Sequence, residues 1–87
     1  MFVILTYDIN EKRVNKIYKI IKKYLTWIQN SVFEGEITES KFAEMQKEIK
    51  KVLNPEEDSL IIYKTTAKLF LKKDILGIEK NAVSFII

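Results

Sequence analysis

An apolar run opens the chain and predicts its central strand. Residues 2–9 are apolar or β-branched at almost every position, which is typical of a strand buried on both faces. Asp8 stands near the carboxyl end of this run, and a helix start follows at Asn10. The run therefore predicts a strand with one carboxylate at its carboxyl end, next to the start of a helix. An Asp in such a turn also commonly does no more than satisfy nearby backbone N–H groups.

Two amphipathic helices are indicated by apolar residues that recur at helical spacing. The first covers residues 11–24, with Asn10 as its N-cap. The second begins after Thr38 and ends at Asn54, because the residue before Pro55 is pushed out of the α region. The apolar positions are Val14, Ile17, Tyr18, Ile21 and Leu25 in the first helix, and Phe42, Met45, Ile49, Val52 and Leu53 in the second.

The segments outside the two helices predict the remaining strands. Residues 26–29 and 31–37 are β-prone and predict a hairpin or a bulged strand pair. Gly35 inside the second run suggests a bulge or a close approach of another backbone. Residues 59–64 predict a fourth strand that is apolar on both faces. The apolar end, residues 82–87, predicts a possible last strand tied into the sheet of its own subunit or of a neighbour.

This order of elements predicts an α+β chain with one ferredoxin-like βαββαβ domain over residues 1–87. In that fold an antiparallel sheet carries both helices on one face. Strands covered on one face should alternate apolar and polar residues, yet the first and fourth strands are apolar on both. The helix-free face therefore needs a cover. A second copy is the simplest one, so we expect a symmetric homodimer packed sheet to sheet.

The composition excludes several kinds of chemistry. The chain contains no cysteine and no histidine, so it can build no disulfide, thiol nucleophile, histidine or cysteine zinc site, or imidazole base. Catalysis would have to use carboxylates, hydroxyls, Lys, Arg and a hard metal ion. No apolar run approaches the roughly 18 residues of a membrane span, and we expect a cytoplasmic protein.

Charge is distributed unevenly along the chain, whose net charge is +3. Residues 12–33 contain no acid. They contain six cations: Lys12, Arg13, Lys16, Lys19, Lys22 and Lys23. Four of the lysines fall on the outer side of the first helix, where no acid four residues away neutralises them, and this favours a polyanion partner over a merely solvated surface. The acidic turn at residues 56–58 could hold a cation, but three adjacent acids before a strand are more often solvated, and we interpret the turn as solvated.

Several of these residues together resemble a known family. Tyr7-Asp8-Ile9 ends the first strand, Lys12-Arg13 enters the first helix, and Gln29 precedes the run Ser31-Val32-Phe33-Glu34-Gly35. In this order and in a chain of this length, they resemble the small universal CRISPR-associated adaptation protein. That family, the second of the core Cas proteins, is often described as a CRISPR-associated endonuclease. The resemblance covers almost the whole chain.

The resemblance implies a function in adaptive antiviral defence. Members are ferredoxin-like homodimers that use a divalent metal, Mg²⁺ or Mn²⁺, and join the CRISPR integrase subunit in spacer acquisition. Members have also been assigned endonuclease activity on single-stranded RNA or double-stranded DNA. The family's metal-binding and catalytic Asp corresponds to Asp8, flanked by Tyr7. Its basic residues correspond to Lys12 and Arg13, and its conserved Phe, structural or site-shaping, corresponds to Phe33.

The chain departs from the family pattern in one respect. Arg13 is its only arginine, whereas the family often carries several here. Lysine neutralises phosphate but lacks the planar bidentate grip of arginine, so phosphate positioning would differ.

One Asp is a sparse magnesium site, since the ion is usually held by one or two carboxylates with waters and phosphate oxygens. If two Asp8 side chains face each other across a dimer axis, a metal beside them could activate water for phosphodiester hydrolysis. We expect the two carboxylates to lie beneath a lysine-lined cradle for nucleic acid.

Other functions stay open. The dimer could be a non-catalytic clamp that holds duplex DNA and bridges integrase subunits. Its phosphate contacts would be Lys12, Lys16, Lys19 and Lys23, joined by Lys64 and Lys68. A toxin-type endoribonuclease would use the same fold and the same Asp. An RNA-recognition fold and a small-molecule regulatory dimer share the topology, but the aromatic signature of the first and any glycine-rich turn for the second are absent.

Overall fold

The computed structural model describes residues 1–66 and 71–81, and its six elements follow the βαββαβ order. They are β1 (Phe2–Asp8), α1 (Glu11–Lys22), β2 (Thr26–Gln29), β3 (Val32–Glu36), α2 (Glu39–Val52) and β4 (Ser59–Thr65). The possible strand at residues 82–87 and the predicted contact Lys68 lie outside the described residues. No helix in the described ranges is long and apolar enough to span a bilayer.

The four strands form one antiparallel sheet in the order β2-β3-β1-β4. β1 is central, because β3 pairs with one of its edges and β4 with the other. This element order, with both helices packed on the sheet, confirms the predicted α+β ferredoxin-like fold.

The hydrophobic core lies between the sheet and the two helices. The register places Leu5 between Phe33 and Ile62, so these side chains share one face of the sheet. Leu5 and Phe33 are fully buried, and the inner sides of the helices pack against them with Ile17 and Met45. The other face of β1 and β4 carries no helix and leaves apolar side chains partly exposed.

Side-chain caps fix the start of each helix, as predicted. The Asn10 side chain accepts a hydrogen bond from the Lys12 N–H at 2.9 Å, and Thr38 accepts one from the Lys41 N–H at 3.2 Å. α1 ends at Lys22, two residues before the predicted end, because the next two backbone N–H groups bond three residues back in a tighter turn.

The hairpin of β2 and β3 contains an irregularity, but it is not at Gly35. The register shifts in β2, between Trp27 and Gln29, whereas Gly35 keeps its regular pairing with Val3. Of the two predicted alternatives the bulge is therefore wrong for Gly35. A Cβ atom there would be in ordinary van der Waals contact with the neighbouring backbone, 3.8 Å from the Leu25 Cα.

The acidic turn is not simply solvated, because the Asp58 side chain is 0% exposed. Its Oδ1 accepts from the Asn10 N–H at 2.9 Å and from Arg13 Nη2 at 3.0 Å. Its Oδ2 accepts from the Asn54 N–H at 2.9 Å and from Arg13 Nε at 2.6 Å. Glu57 accepts a further hydrogen bond from Arg13 Nη2 at 3.0 Å. We call the bidentate pair of Arg13 and Asp58 the Arg13–Asp58 clasp, and it contradicts the solvated interpretation.

The clasp couples stability to acid pH. The hydrogen-bonded Arg13 guanidinium, together with the two backbone N–H groups, holds the pKa of Asp58 well below its usual range. A carboxyl whose pKa is lower in the folded state stabilises the fold above its unfolded pKa, and this stabilisation is lost as the pH falls through its folded value.

We therefore expect Asp58→Asn to lower the Tm at pH 7 by about 10 °C or more, because it removes one partner of a buried ion pair. Below a pH of about 4 the parent should lose stability, and the difference in Tm between parent and variant should become smaller. Thermal melts between pH 2 and pH 7 measure both effects. Glu56→Gln removes an exposed carboxylate from the same turn and is the control. A difference in Tm that stays constant with pH would contradict the lowered pKa of Asp58 in the folded state.

Candidate functional site

Asp8 lies at the carboxyl end of β1 and is exposed. It pairs with Ser59, the first residue of β4, and α1 begins three residues later. Because side chains alternate along a strand, Asp8 projects on the same face as Ile4 and Thr6, which is the helix-free face. The structure thus places the predicted carboxylate at the rim of that face, where a second molecule can reach it.

Tyr7 projects to the opposite face of the sheet. Its ring lies 6.3 Å from the Phe33 ring, and Phe33 meets Tyr18 edge-on at 5.5 Å between centroids. Burial, with a smaller contribution from Tyr18, raises the pKa of Tyr7. Packing in the core accounts for both Tyr7 and Phe33, and the structure does not bring either ring to the side of Asp8. Contact of Tyr7 with nucleic acid stays a prediction.

The predicted basic residues of α1 form a line that we call the lysine stripe: Lys12, Lys16, Lys19 and Lys23. Spacings of four, three and four residues put all of them on one side of the helix, and all are exposed. The opposite side of α1 buries Ile17 and Ile21 in the core. The stripe therefore points away from the sheet. Asp8 projects from the opposite, helix-free face of the sheet. Only the first turn of α1 lies at the end of the sheet that carries Asp8.

The members of the lysine stripe differ in their pairing. Lys23 Nζ lies 2.5 Å from a Glu48 oxygen on α2. Within residues 1–66 and 71–81, no carboxylate forms an ion pair with Lys12, Lys16 or Lys19. These three cations are the part of the stripe that is available to a polyanion.

Arg13 is placed differently from the lysines. Its side chain is 19% exposed, and its Nε and Nη2 groups already bond the carboxylates of Asp58 and Glu57. These hydrogen bonds raise the pKa of the guanidinium further above its ordinary value. The planar edge that would grip a phosphate is thus occupied within the chain, and a nucleic-acid contact by Arg13 stays a prediction.

The described residues supply few metal ligands. Among residues 1–66 and 71–81 no group of three Asp, Glu, His or Cys side chains lies close enough together to hold an ion. Asp8 offers one carboxylate. An ion bound there would take its other ligands from water, from nucleic-acid phosphate or from a second copy of the chain.

The helix-free side of the sheet exposes an apolar surface, which we call the open face: Ile4, Thr6, Val32, Ile61 and Tyr63. The register sets Ile4 opposite Tyr63 and Thr6 opposite Ile61 across β1 and β4. Ile61 is 48% exposed and Tyr63 is 61% exposed. Contiguous apolar patches of this kind mark surfaces that bind a protein, a membrane or a ligand.

Residues 71–81 cross beside β2 and β3. Lys73 Nζ lies 2.6 Å from a Glu34 oxygen, and the Asn81 side-chain amide donates to the Trp27 carbonyl. A cleft of about 330 Å³ lies between this segment and the hairpin. Leu76 is 95% exposed and Ile78 is 76% exposed, so the segment adds apolar surface of its own.

The sequence interpretation missed Asp58. The available signal was weak: a single arginine in a lysine-rich helix, and an Asp immediately before a predicted strand. Since the two residues are 45 positions apart, only the pairing of β1 with β4 brings them together.

Comparison with known proteins identifies the family. The model of the CRISPR associated protein Cas2 family matches residues 1–73. A protein of Dictyoglomus turgidum named CRISPR-associated endoribonuclease Cas2 is 52% identical over 81 residues, which are 93% of each chain. Proteins with the same name from Methanocaldococcus jannaschii and Thermotoga maritima are 46% and 43% identical. The first match covers all of this chain and 76% of the relative, and the second covers 99% of both.

Solved structures agree with this identification. A crystal structure described as cas2 superposes with a TM-score of 0.79 at 36% identity, covering 93% of this chain and 91% of that one. Streptococcus pyogenes Cas2 superposes with a TM-score of 0.72 at 27% identity, covering 88% of this chain and all of that one. On its fold, its family match and its relatives, the chain belongs to the Cas2 family of CRISPR-associated proteins.

Proposed function

We propose that this chain forms a nucleic-acid-binding homodimer of CRISPR spacer acquisition with metal-dependent phosphodiester endonuclease activity. Its substrate would be single-stranded RNA or double-stranded DNA. The observation that carries the proposal is the position of Asp8, an exposed carboxylate at the rim of the open face. The name of the curated relatives, CRISPR-associated endoribonuclease, supports the nuclease class.

The open face supports the homodimer. A two-fold axis brings the same patch of both subunits together, and the Ile61 and Tyr63 of each copy would then be buried by the other. Asp8 lies on this face at its rim, so an axis passing near the end of β1 would place two carboxylates close to one another. The site would then be incomplete in one copy and complete in two.

Asp8 fits the ligand preferences of Mg²⁺ or Mn²⁺. These hard cations favour carboxylate oxygen, and Mg²⁺ commonly keeps several waters while binding one or two carboxylates with substrate phosphates. A bound ion would supply an activated water and stabilise negative charge on the phosphate in the transition state. In the dimer, the two Asp8 carboxylates would hold the ion, and the chain provides no imidazole base for the reaction.

We expect Asp8→Ala and Asp8→Asn to reduce Mg²⁺-dependent cleavage by about 100-fold or more. Loss of the ligand forfeits several kcal/mol of charge stabilisation, and each 1.36 kcal/mol is about tenfold in rate. Cleavage of labelled RNA and duplex DNA with Mg²⁺ or with EDTA measures the effect. Glu11→Gln removes an exposed acid from the same end of the sheet and should cleave like the parent. Parental rates in Asp8→Asn, or in EDTA, would contradict the metal site.

A non-catalytic clamp is the second candidate, and the placement of the lysine stripe favours it. The stripe lies on the side of α1 that faces away from the sheet, so it can contact a duplex backbone without bringing it to Asp8. In this function the dimer would hold duplex DNA and bridge CRISPR integrase subunits at a fixed distance. Its contacts would be electrostatic and independent of sequence.

We expect Lys16→Glu with Lys19→Glu to weaken duplex binding. The slope of log binding constant against log salt concentration should become shallower by about 2, because each lost phosphate contact lowers its magnitude by about 0.9. The matched control is Lys47→Glu with Lys50→Glu, which makes the same charge change on α2. Fluorescence anisotropy at several salt concentrations measures the slope. Binding that does not depend on salt would contradict both functions.

The same variants discriminate the clamp from the nuclease. If the chain is only a clamp, Asp8→Ala retains spacer acquisition and the Lys16 and Lys19 double variant abolishes it. If cleavage is required, Asp8→Ala abolishes acquisition as well.

We expect Ile61→Glu with Tyr63→Glu to convert a dimer into monomers, because the change would bury four carboxylates against one another across the open face. Light scattering during gel filtration should give the parent about twice the 10.3 kDa chain mass and the variant about the chain mass. Lys50→Glu, on the helix side, should stay dimeric. A parent that is monomeric at tens of micromolar would contradict the sheet-to-sheet dimer.

A further inference from the structure

We infer that Asp58 and Arg13 are positioning residues for Asp8, which they hold in place from both sides through the backbone. This inference rests on the proposed function of Asp8 as a metal ligand. It assigns a role to the Arg13–Asp58 clasp beyond the stability that the clasp gives the fold.

Asp58 is connected to Asp8 through two stretches of backbone. It immediately precedes Ser59, and Ser59 is the strand partner of Asp8 at the end of the sheet. The Asp58 Oδ1 accepts from the N–H of Asn10, two residues after Asp8, at 2.9 Å. One residue thus adjoins the strand partner of Asp8 on one side and holds the turn that follows Asp8 on the other.

Asp58 is itself held firmly. Arg13 binds it through a bidentate contact at 2.6 and 3.0 Å, and the N–H of Asn54 adds a further donor from the loop after α2. Charge-assisted bidentate contacts fix geometry as well as adding energy. The Asp58 carboxylate therefore joins the turn after β1, the first turn of α1 and the loop after α2, immediately before the start of β4.

The Asp8 side chain has no comparable restraint of its own. It is exposed, and within residues 1–66 and 71–81 its carboxylate forms no ion pair. A site that uses one ligand from each subunit needs that ligand held to within about 0.5 Å. The placement of Asp8 therefore depends on the backbone around it, which the clasp fixes.

The arrangement also separates two roles for Arg13. A phosphate contact would act on nucleic-acid affinity, whereas a positioning role acts on the metal site and on the cleavage rate. Since the Nε and Nη2 groups of Arg13 are bound to Asp58 and Glu57, we assign it to positioning. Substitution of Arg13 should then change kcat and metal affinity and leave KM for nucleic acid nearly unchanged.

The test compares four variants with the parent at a temperature well below every Tm. Asp58→Asn removes the negative charge of the clasp. Arg13→Lys keeps the positive charge but removes the planar guanidinium group that makes the bidentate contact. Glu56→Gln is the matched control in the acidic turn, and Asp8→Ala removes the ligand itself. Mn²⁺ titration followed by paramagnetic broadening of the amide NMR signals of residues 7–9 gives metal affinity without any cleavage. Cleavage kinetics give kcat and KM.

We expect Asp58→Asn and Arg13→Lys to raise the Mn²⁺ midpoint and to lower kcat by about tenfold or more, with KM within about twofold of the parent. Glu56→Gln should match the parent in all three. If Asp58→Asn does not fold, Arg13→Lys alone decides the question.

Failure of the positioning role and failure of the proposed function give different results. If Asp8→Ala loses Mn²⁺ binding and cleavage while both clasp variants match Glu56→Gln, the positioning role is overturned and the proposed function stands. The positioning role is also overturned if Arg13→Lys raises KM with kcat and Mn²⁺ midpoint unchanged, because Arg13 would then contact the substrate. If Asp8→Ala matches the parent in Mn²⁺ binding and cleavage, the proposed function fails and the positioning role fails with it.

Discussion

The helices cover only one face of the sheet, and β1 and β4 carry apolar side chains on both of its faces. β1 is paired with β3 along one edge and with β4 along the other, so its backbone hydrogen bonds are used within the sheet. Other molecules can reach β1 through its side chains, on the two faces of the sheet and at its carboxyl end. One face builds the core with Leu5 and Phe33, and the other leaves Ile61 and Tyr63 uncovered. Asp8 lies where the uncovered face meets the end of the strand. The exposed apolar surface and the accessibility of Asp8 therefore have one physical origin.

Local patterns in the sequence predicted most of the fold. Apolar residues at helical spacing indicated both helices, and Asn10 and Thr38 indicated their starts, because capping involves neighbours in sequence. The apolar run also sufficed to predict that Asp8 lies at the carboxyl end of β1. The errors came where a local pattern has two physical outcomes. The end of α1 tightened into a short turn, and the irregularity of the hairpin fell in β2 and not at Gly35.

Long-range pairing explains what the sequence could not predict. Three acids in a row before a strand are usually solvated, but Asp58 meets an arginine 45 residues away and its side chain becomes fully buried. The side on which a residue projects follows from the repeat of side-chain directions, which is two residues in a strand and 3.6 residues in a helix. Those periods place Tyr7 and Asp8 on opposite faces and turn the lysine stripe away from the sheet. Within one copy the lysine stripe and Asp8 therefore lie on opposite sides of the sheet, and the lysine-lined cradle above two carboxylates stays a prediction about the dimer.

The use of the single arginine has a consequence for how the chain would meet nucleic acid. With its fork engaged by Asp58 and Glu57, Arg13 offers little planar bidentate contact to a phosphate, and the exposed cations of α1 are lysines. Lysine ammonium groups act as point charges that tolerate many phosphate geometries. Such a surface attracts a backbone without fixing its register. Any geometric precision in the proposed reaction would then have to come from the held carboxylate and the subunit interface, and the lysines would supply attraction alone.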